Sequence, residues 1–441
     1  LDIALCGRQL LPPGTLQLGR GVLHLLHPLD GLAEALAFRK AMEDSLSTEG
    51  VVTGRSLRLD VELLLEQEPF YARMTSTPIE RAKRLDVIEK LPLPDPMAFQ
   101  LTLARDVRPS IYQHSLRAVW TMIWLATHPL GKRFELAEAA AVGLLHDIGM
   151  LHLDPMLLDP KAILSPAQRR QLYSHPIISM MLMERHHAYT KEVVRAVMEH
   201  HECLNASGYP RNLGGVQISP LGRCMSLSEV VTAMVGSDAN GGELRLAVLL
   251  RMNMHRYDPA LIDRVMGLLR PELDAGSTAI VPLAEPAQTL IEIDEVVSAW
   301  PSDCAGFDEL TPERQAGMAI VSDQIAQLRR TLAEAGLAPA QLEQLGDGAQ
   351  DPMLARELSL LAKEAAWQLR TLARQASRRW RGGSDSDHPP LLFNHGATSA
   401  AERIDNATRS AVPSGISPTT VTMTSPSAVF SRRDTATVGP N

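Results

Sequence analysis

The chain has 441 residues, 45% of them apolar and only 4% aromatic, with a formal net charge of −8. That length exceeds what one hydrophobic core usually holds, so two folded units with tails are expected. No block of Lys or Arg is long enough to track a phosphate backbone, which argues against binding of long nucleic acid.

Leu, Ala and Met are plentiful, and good helix formers of this kind predict an all-α fold. The cysteines Cys6, Cys203, Cys224 and Cys304 form no CxxC pair, so reduced thiols are expected rather than a disulfide framework or a zinc ribbon. No stretch approaches the roughly 20 uninterrupted apolar residues of a membrane span. The start lacks the basic, apolar, small-residue order of a signal peptide, and a cytoplasmic location is expected. Leu1 stands first in place of Met, so the chain is expected to continue upstream.

Residues 1–100 mix short apolar runs with Pro and Gly, then a helical stretch from Leu32 to Ser45, and read as an N-terminal regulatory or packing region. LPLPDP, Leu91 to Pro96, breaks a helix and reads as a boundary. A domain over 101–300 is expected next, with helices over Ser110–Thr127, Glu135–Leu145, Ser165–His186 and Thr190–His200, each apolar at spacings of three and four. Ser165 before Pro166 is a good helix start. A helix around Leu244–Met254 and a less regular stretch rich in Val and Ile follow. Residues 301–381 hold two long polar helices that read as a hairpin, packed on the domain or on a second copy in a homodimer. From 382 to 441 the composition shifts to Ser, Thr, Pro, Gly and Ala, and a disordered tail is expected.

The chemistry-bearing residues concentrate in the middle. His114, the pair His146 and Asp147, His175, the pair His200 and His201, and Glu229 recur at steps of 32, 29, 25 and 28 residues. Each step is about a helix and its return, so the side chains can converge inside a helical bundle. Imidazoles and carboxylates are ligands for Fe, Mn, Zn or Mg, and an adjacent His and Asp leave a helix about 100 degrees apart, so a doublet can bridge two ions. His24, His27, His128, His152, His186, His187, His255, His388 and His395 fall outside this register and read as ordinary solvated or hydrogen-bonded residues. Two close metals favour in-line attack on a phosphoryl group, which points to phosphoester hydrolysis.

At these residues the sequence resembles the HD-GYP family. The motifs are LLHDIGM at Leu144–Met150, YSHP at Tyr173–Pro176, HHECLNASGYPRNLGGVQIS at His200–Ser219 and GRCMSLSEVVTAM at Gly222–Met234, within a core spanning 105–240. The resemblance implies an HD-type helical bundle, two divalent metal ions, Fe or Mn, and hydrolysis of cyclic di-GMP to pGpG or GMP in bacterial signalling. It implies metal ligation by His114, His146, Asp147, His175, His200 and His201, with Glu229 in the place of a last aspartate. His146, Asp147 and Arg223 are then the catalytic set, and Tyr209, Pro210, Arg211 and Arg223 meet the substrate.

The departures from the family pattern shape the expectation. Met150 replaces a lysine that can contact a phosphate. Such a charge-assisted contact is worth roughly 1.5 to 3 kcal/mol, and about 1.4 kcal/mol is tenfold in rate, so a ten- to hundredfold slower enzyme is expected. Glu229 displaces its carboxylate by about 1.5 Å, where metal sites tolerate about 0.2 Å. Ser110 stands where trinuclear members carry a glutamate, which predicts at most two metals. Asn205 and Ala206 replace an acidic residue and a glycine, and Thr232 replaces a second aspartate. These substitutions keep open a degenerate module that binds nucleotide or a signalling partner without hydrolysis, as well as a different nucleotide substrate. Arg211, directly after the GYP tripeptide, is a candidate replacement for the missing lysine.

Overall fold

The computed structural model describes residues 50–127, 135–159, 162, 164–236, 242–270, 284–303, 312–335, 337, 342 and 352–380. The helix expected at Leu32–Ser45 and the tail expected at 382–441 lie outside the described residues. Two compact units divide at Ala233 and Met234. Among the described residues the extended elements are helices, and backbone pairing of the β kind is confined to an isolated bridge between Asn205 and Gly214. The all-α expectation therefore holds.

The first unit opens with α1 (Gly54–Gln67), a one-turn α2 (Pro69–Ala72), α3 (Pro78–Glu89) and α4 (Asp95–Val107). Local chemistry sets these starts. Thr53 and Ser56 exchange side chain and backbone bonds in a capping box, and Thr77 accepts from Glu80 N–H with Pro78 in the first turn. The prolines of Leu91–Pro96 separate α3 from α4, and both helices lie in the same unit.

Helix α5 (Pro109–Ala126) is the spine of this unit, with every residue from Ser115 to Ala126 buried. It packs most extensively on α6 (Leu136–Leu145), whose apolar run Ala139–Leu145 is buried throughout. Gly143 makes that approach possible, because a Cβ there would lie 2.7 Å from both the Ala118 carbonyl oxygen and the Val119 Cα. A 3₁₀ turn at Ile148–His152 leads on to α7 (Pro166–Leu172), α8 (His175–Glu184), α9 (Lys191–Glu199) and α10 (Pro220–Val235).

The helix expected over Ser165–His186 is two helices, α7 and α8. Ser165 does cap α7, in a capping box with Gln168. Pro176 explains the break. It has no N–H to give the Leu172 carbonyl four residues back, and its ring crowds that carbonyl.

The second unit holds α11 (Gly242–Met252), α12 (Pro259–Leu268), α13 (Ala284–Asp303), α14 (Pro312–Glu334) and α15 (Pro352–Trp380). The stretch expected to be irregular after Met254 thus contains α12 and α13. Asp258 caps α12 by accepting from Ala260 N–H, with Pro259 at its first turn. Val248 and Met252 from α11, Leu290, Ile293 and Val297 from α13, Val321, Ile325 and Leu328 from α14, and Leu358, Leu361 and Ala365 from α15 share one core. Apolar residues of α14 and α15 thus contribute to a core within the unit. No described helix is long and apolar enough to cross a membrane.

Candidate metal centre

Helix ends place the central imidazoles. His146 ends α6, His175 begins α8 and His200 ends α9. Carbonyls in the last turn of a helix lack an intrahelical partner, and each of these rings takes one three residues back. His146 Nδ1 lies 3.0 Å from Gly143 O, His175 Nδ1 2.8 Å from Leu172 O, and His200 Nδ1 2.5 Å from Val197 O. The Leu172 carbonyl is the one Pro176 cannot serve. With Nδ1–H donating to the carbonyl, each ring turns Nε2 inward as an acceptor, the tautomer a metal ligand needs.

The donor atoms form two groups. His114, His146 and Glu229 make one, and Asp147, His175, His200 and His201 the other, with the ligand atoms of each within 4.8 Å of one another. In the first, His114 Nε2 is 3.0 Å from His146 Nε2 and 2.9 Å from Glu229 Oε2, and His146 Nε2 is 3.3 Å from that oxygen. In the second, His175 Nε2 is 3.0 Å from His200 Nε2 and 3.1 Å from His201 Nε2. The extra methylene of Glu229 still delivers an oxygen to its group.

Asp147 lies between the two groups. Its Oδ1 is 3.2 Å from His175 Nε2 and 3.6 Å from His200 Nε2, while Oδ2 is 3.6 Å from His146 Nε2 and 3.9 Å from His114 Nε2. One carboxylate thus presents one oxygen to each side. Its backbone, at φ −103 and ψ 7, occupies the sparsely allowed bridge region between the end of α6 and the 3₁₀ turn.

The electrostatics follow from burial of Asp147, His146, His175 and His200 at 0% exposure. Burial opposes ionisation of Asp147, but the facing imidazoles of His146, His175 and His200 outweigh it and hold the carboxyl well below the usual range. Glu229 is held down in the same way by His114 and His146. Burial also disfavours charge on His146, yet Asp147 and Glu229 raise its pKa. His200 and His201 are pushed down by burial, His201 further by its neighbour His200. The ionised carboxylates and the lowered His200 and His201 favour metal, while His146, which holds its proton more tightly, must release it before that ring can ligate an ion. The nitrogen and oxygen donor set suits Fe, Mn or Zn, and neither Cys203 nor Cys224 joins either group.

The loop from Cys203 to Ser219 flanks the centre. Tyr209 stacks between Tyr173, with ring centroids 4.2 Å apart, and His201, at 4.5 Å, and is followed by a cis Tyr209–Pro210 bond. Arg211 sends its guanidinium to Glu199 Oε1 at 3.2 Å. Arg223, on α10, donates to Ile218 O at 3.2 Å and Gly215 O at 2.9 Å. Both guanidinium groups thus engage the loop or its anchor. Met150 is fully buried in an apolar cluster with Ile111 and Leu172.

Sequence reasoning missed two carboxylates. Glu202 accepts from the backbone N–H of Arg211 at 2.7 Å and of Leu213 at 2.8 Å. Glu199 accepts from Arg195 at 2.7 Å and from the backbone N–H and hydroxyl of Ser219 at 2.8 and 2.6 Å. Both are 0% exposed. Two acids three residues apart around the His200–His201 pair were the available signal. His152, His186, His187 and His255 stand outside both groups, and burial lowers His152 to about 4.

Residues 100–261 match the family model of the HD domain. This stretch is similar to the HD domain, its motifs and relatives are consistent with the HD-GYP family, and the donor chemistry of the two groups fits a metal centre. It is 26% identical over 211 residues, 45% of this chain and 44% of the relative, to 3'3'-cGAMP-specific phosphodiesterase 3 of Vibrio cholerae. It is 32% identical over 129 residues, 28% of this chain and 30% of the relative, to a cyclic di-GMP phosphodiesterase of Pseudomonas aeruginosa. A cyclic di-GMP phosphodiesterase of Vibrio cholerae is 28% identical over 138 residues, 28% of this chain and 27% of the relative. The chain spans less than half the length of these curated relatives. No solved structure matches it.

Proposed function

We propose that this chain is a divalent-metal-dependent phosphodiesterase of cyclic dinucleotides, with cyclic di-GMP as substrate and pGpG or GMP as product. The observation that carries the reading is Asp147, whose two oxygens face two separate groups of imidazoles. His114, His146, Glu229 and Asp147 Oδ2 would hold one ion, and His175, His200, His201 and Asp147 Oδ1 a second, with Fe or Mn as the metals. Bound there, a pair of divalent ions supplies Lewis acidity to a phosphodiester and an activated water near neutral pH.

The chain's own residues do the rest. The carbonyls of Gly143, Leu172 and Val197 fix the rings, so no reorientation is needed as ligands assemble. Tyr209 and Pro210 wall the approach to His201, and Arg211 and Arg223 hold the loop that carries them, with their charge beside the path of an anionic substrate.

Turnover of cyclic di-GMP and of 3'3'-cGAMP on one anaerobically purified sample, with Mn and Fe supplied in turn, tests this. Near two ions per chain with linear product supports the reading, and His146→Ala with Asp147→Ala should abolish metal and turnover together. Turnover that survives that double change would sink it. A second reading, a non-catalytic adaptor that binds nucleotide, draws on the burial of Met150 among apolar side chains where a phosphate-facing lysine is usual in the family. Bound metal and bound nucleotide without product would select it.

A further inference from the structure

The first group of ligands depends on α5 through one residue, His114, while every other ligand hangs from α6 or elements after it. Apolar packing holds α5 against its neighbours, but such packing is non-directional and resists separation more than sliding or rotation. What fixes the register of α5 is polar, and it comes from outside the residues that match the HD family model, which begin at 100.

Tyr112, two residues before His114, donates its hydroxyl to Asp60 of α1 at 2.5 Å. Arg117, three residues after His114, forks onto Glu68 at the end of α1, with Nε 2.9 Å from Oε2 and the terminal nitrogen 2.6 Å from Oε1. Trp120 donates its indole N–H to the carbonyl of Tyr71 in α2 at 2.9 Å. Tyr112 and Arg117 are 2% and 5% exposed, while their acidic partners are half-buried, so these are directional contacts at the edge of the core. At 3.6 residues per turn Tyr112 and Trp120 lie about 160 and 120 degrees around α5 from His114, and Arg117 about 60 degrees. Two charged or hydroxyl ties therefore bracket the ligand along the helix without touching its group.

We infer that Asp60 and Glu68 are positioning residues for the His114–His146–Glu229 site, so that α1, outside the HD match, sets the affinity of one metal ion and not of the other. This rests on the two-ion reading above. The logic is one of tolerance: ligand positions in a metal site must hold to about 0.2 Å, and losing an outer partner of a ligand commonly weakens metal binding 10- to 100-fold.

The test is a manganese titration of the metal-free full-length chain, read by bound ions per chain and by electron paramagnetic resonance. The variants are Glu68→Gln and Tyr112→Phe, with Arg58→Gln as a control. Arg58 ties α1 to Asp86 and Glu89 of α3 instead of to α5. We expect one of two ions to bind about 10- to 100-fold more weakly in Glu68→Gln and in Tyr112→Phe, the other to keep the parent affinity, and Arg58→Gln to retain both. Tyr112→Phe leaves the ring in the core and carries the test if Glu68→Gln does not fold. Variants that keep both affinities, or weaken both ions alike, or an Arg58→Gln variant that behaves as they do, overturn the inference while the two-ion reading stands. A parent chain that binds no manganese overturns both.

Discussion

Ala206 adopts a φ of 59° in the loop beside the centre. A side chain in this left-handed region crowds the following carbonyl at a cost of roughly 1–2 kcal/mol, so Ala206→Gly should stabilise the protein by about 1 kcal/mol. Thermal unfolding would show this as a rise of about 2–4 °C, and no rise would mean that the loop relaxes around the alanine. Met150 makes the opposite prediction. Its side chain is fully buried beside Ile111 and Leu172, so Met150→Lys places an unpaired ammonium among apolar atoms. We expect a loss of about 3 kcal/mol or more in denaturant titration and no gain in turnover. A faster, equally stable variant would place this position on the substrate path. At this scale the sequence made the clustered histidines and carboxylates readable, because His and Asp doublets in register are rare by chance. The carbonyls that orient the rings were not readable, since every residue has one and only the helix ends reveal which are left over. Glu199 was hidden for a similar reason: an acid near the end of an amphipathic helix usually faces water, and burial alone distinguishes it.

Helix by helix, the approach of α5 and α6 decides whether His114 can meet His146. Gly143→Ala puts a methyl against the backbone of Ala118 and Val119, and overpacking of this kind costs about 1–3 kcal/mol. We expect Gly143→Ala to lower the unfolding midpoint and weaken metal uptake, measured by denaturation and by ion content. Unchanged ion content would show that the helices separate without disturbing the ligands. In the first unit α5, α6 and α9 were legible from apolar spacing and the start of α7 from Ser165, whereas α1 to α4 lie in a region read only as short apolar runs with Pro and Gly, and α10 was not singled out. The break between α7 and α8 was missed because the apolar period continues through it. Pro176 overrides that period, and the same proline frees the carbonyl that holds His175.

For the molecule as a whole, metal should stabilise the unit that carries the two groups and leave the other unit alone. An ion at a hundred times its dissociation constant adds about 2.7 kcal/mol to the state that binds it. Calorimetry before and after chelation should therefore shift the transition of the unit ending at Ala233 and not that of the unit beginning at Met234. Equal shifts in both would show that they unfold together. The second unit was the harder one to read. Its helices α14 and α15 were evident from their length, but α12 is short and announced mainly by Asp258 and Pro259. Whether the long helices served a partner or a local core could not be read from their periodicity, because either use leaves the same apolar stripe. Leu328, Leu361 and Ala365 join a local core shared with α11 and α13.

Asp147 has one further consequence. A carboxylate divided between two sites couples them thermodynamically: an ion on one oxygen fixes the orientation of the group and draws its charge, and the second ion meets a ligand already altered. Whatever factor the first ion imposes on the second, the second imposes on the first. On the two-ion reading the sites would therefore fill as a linked pair, with a binding isotherm that departs from two independent steps, and replacing Asp147 would remove the linkage together with the shared ligand.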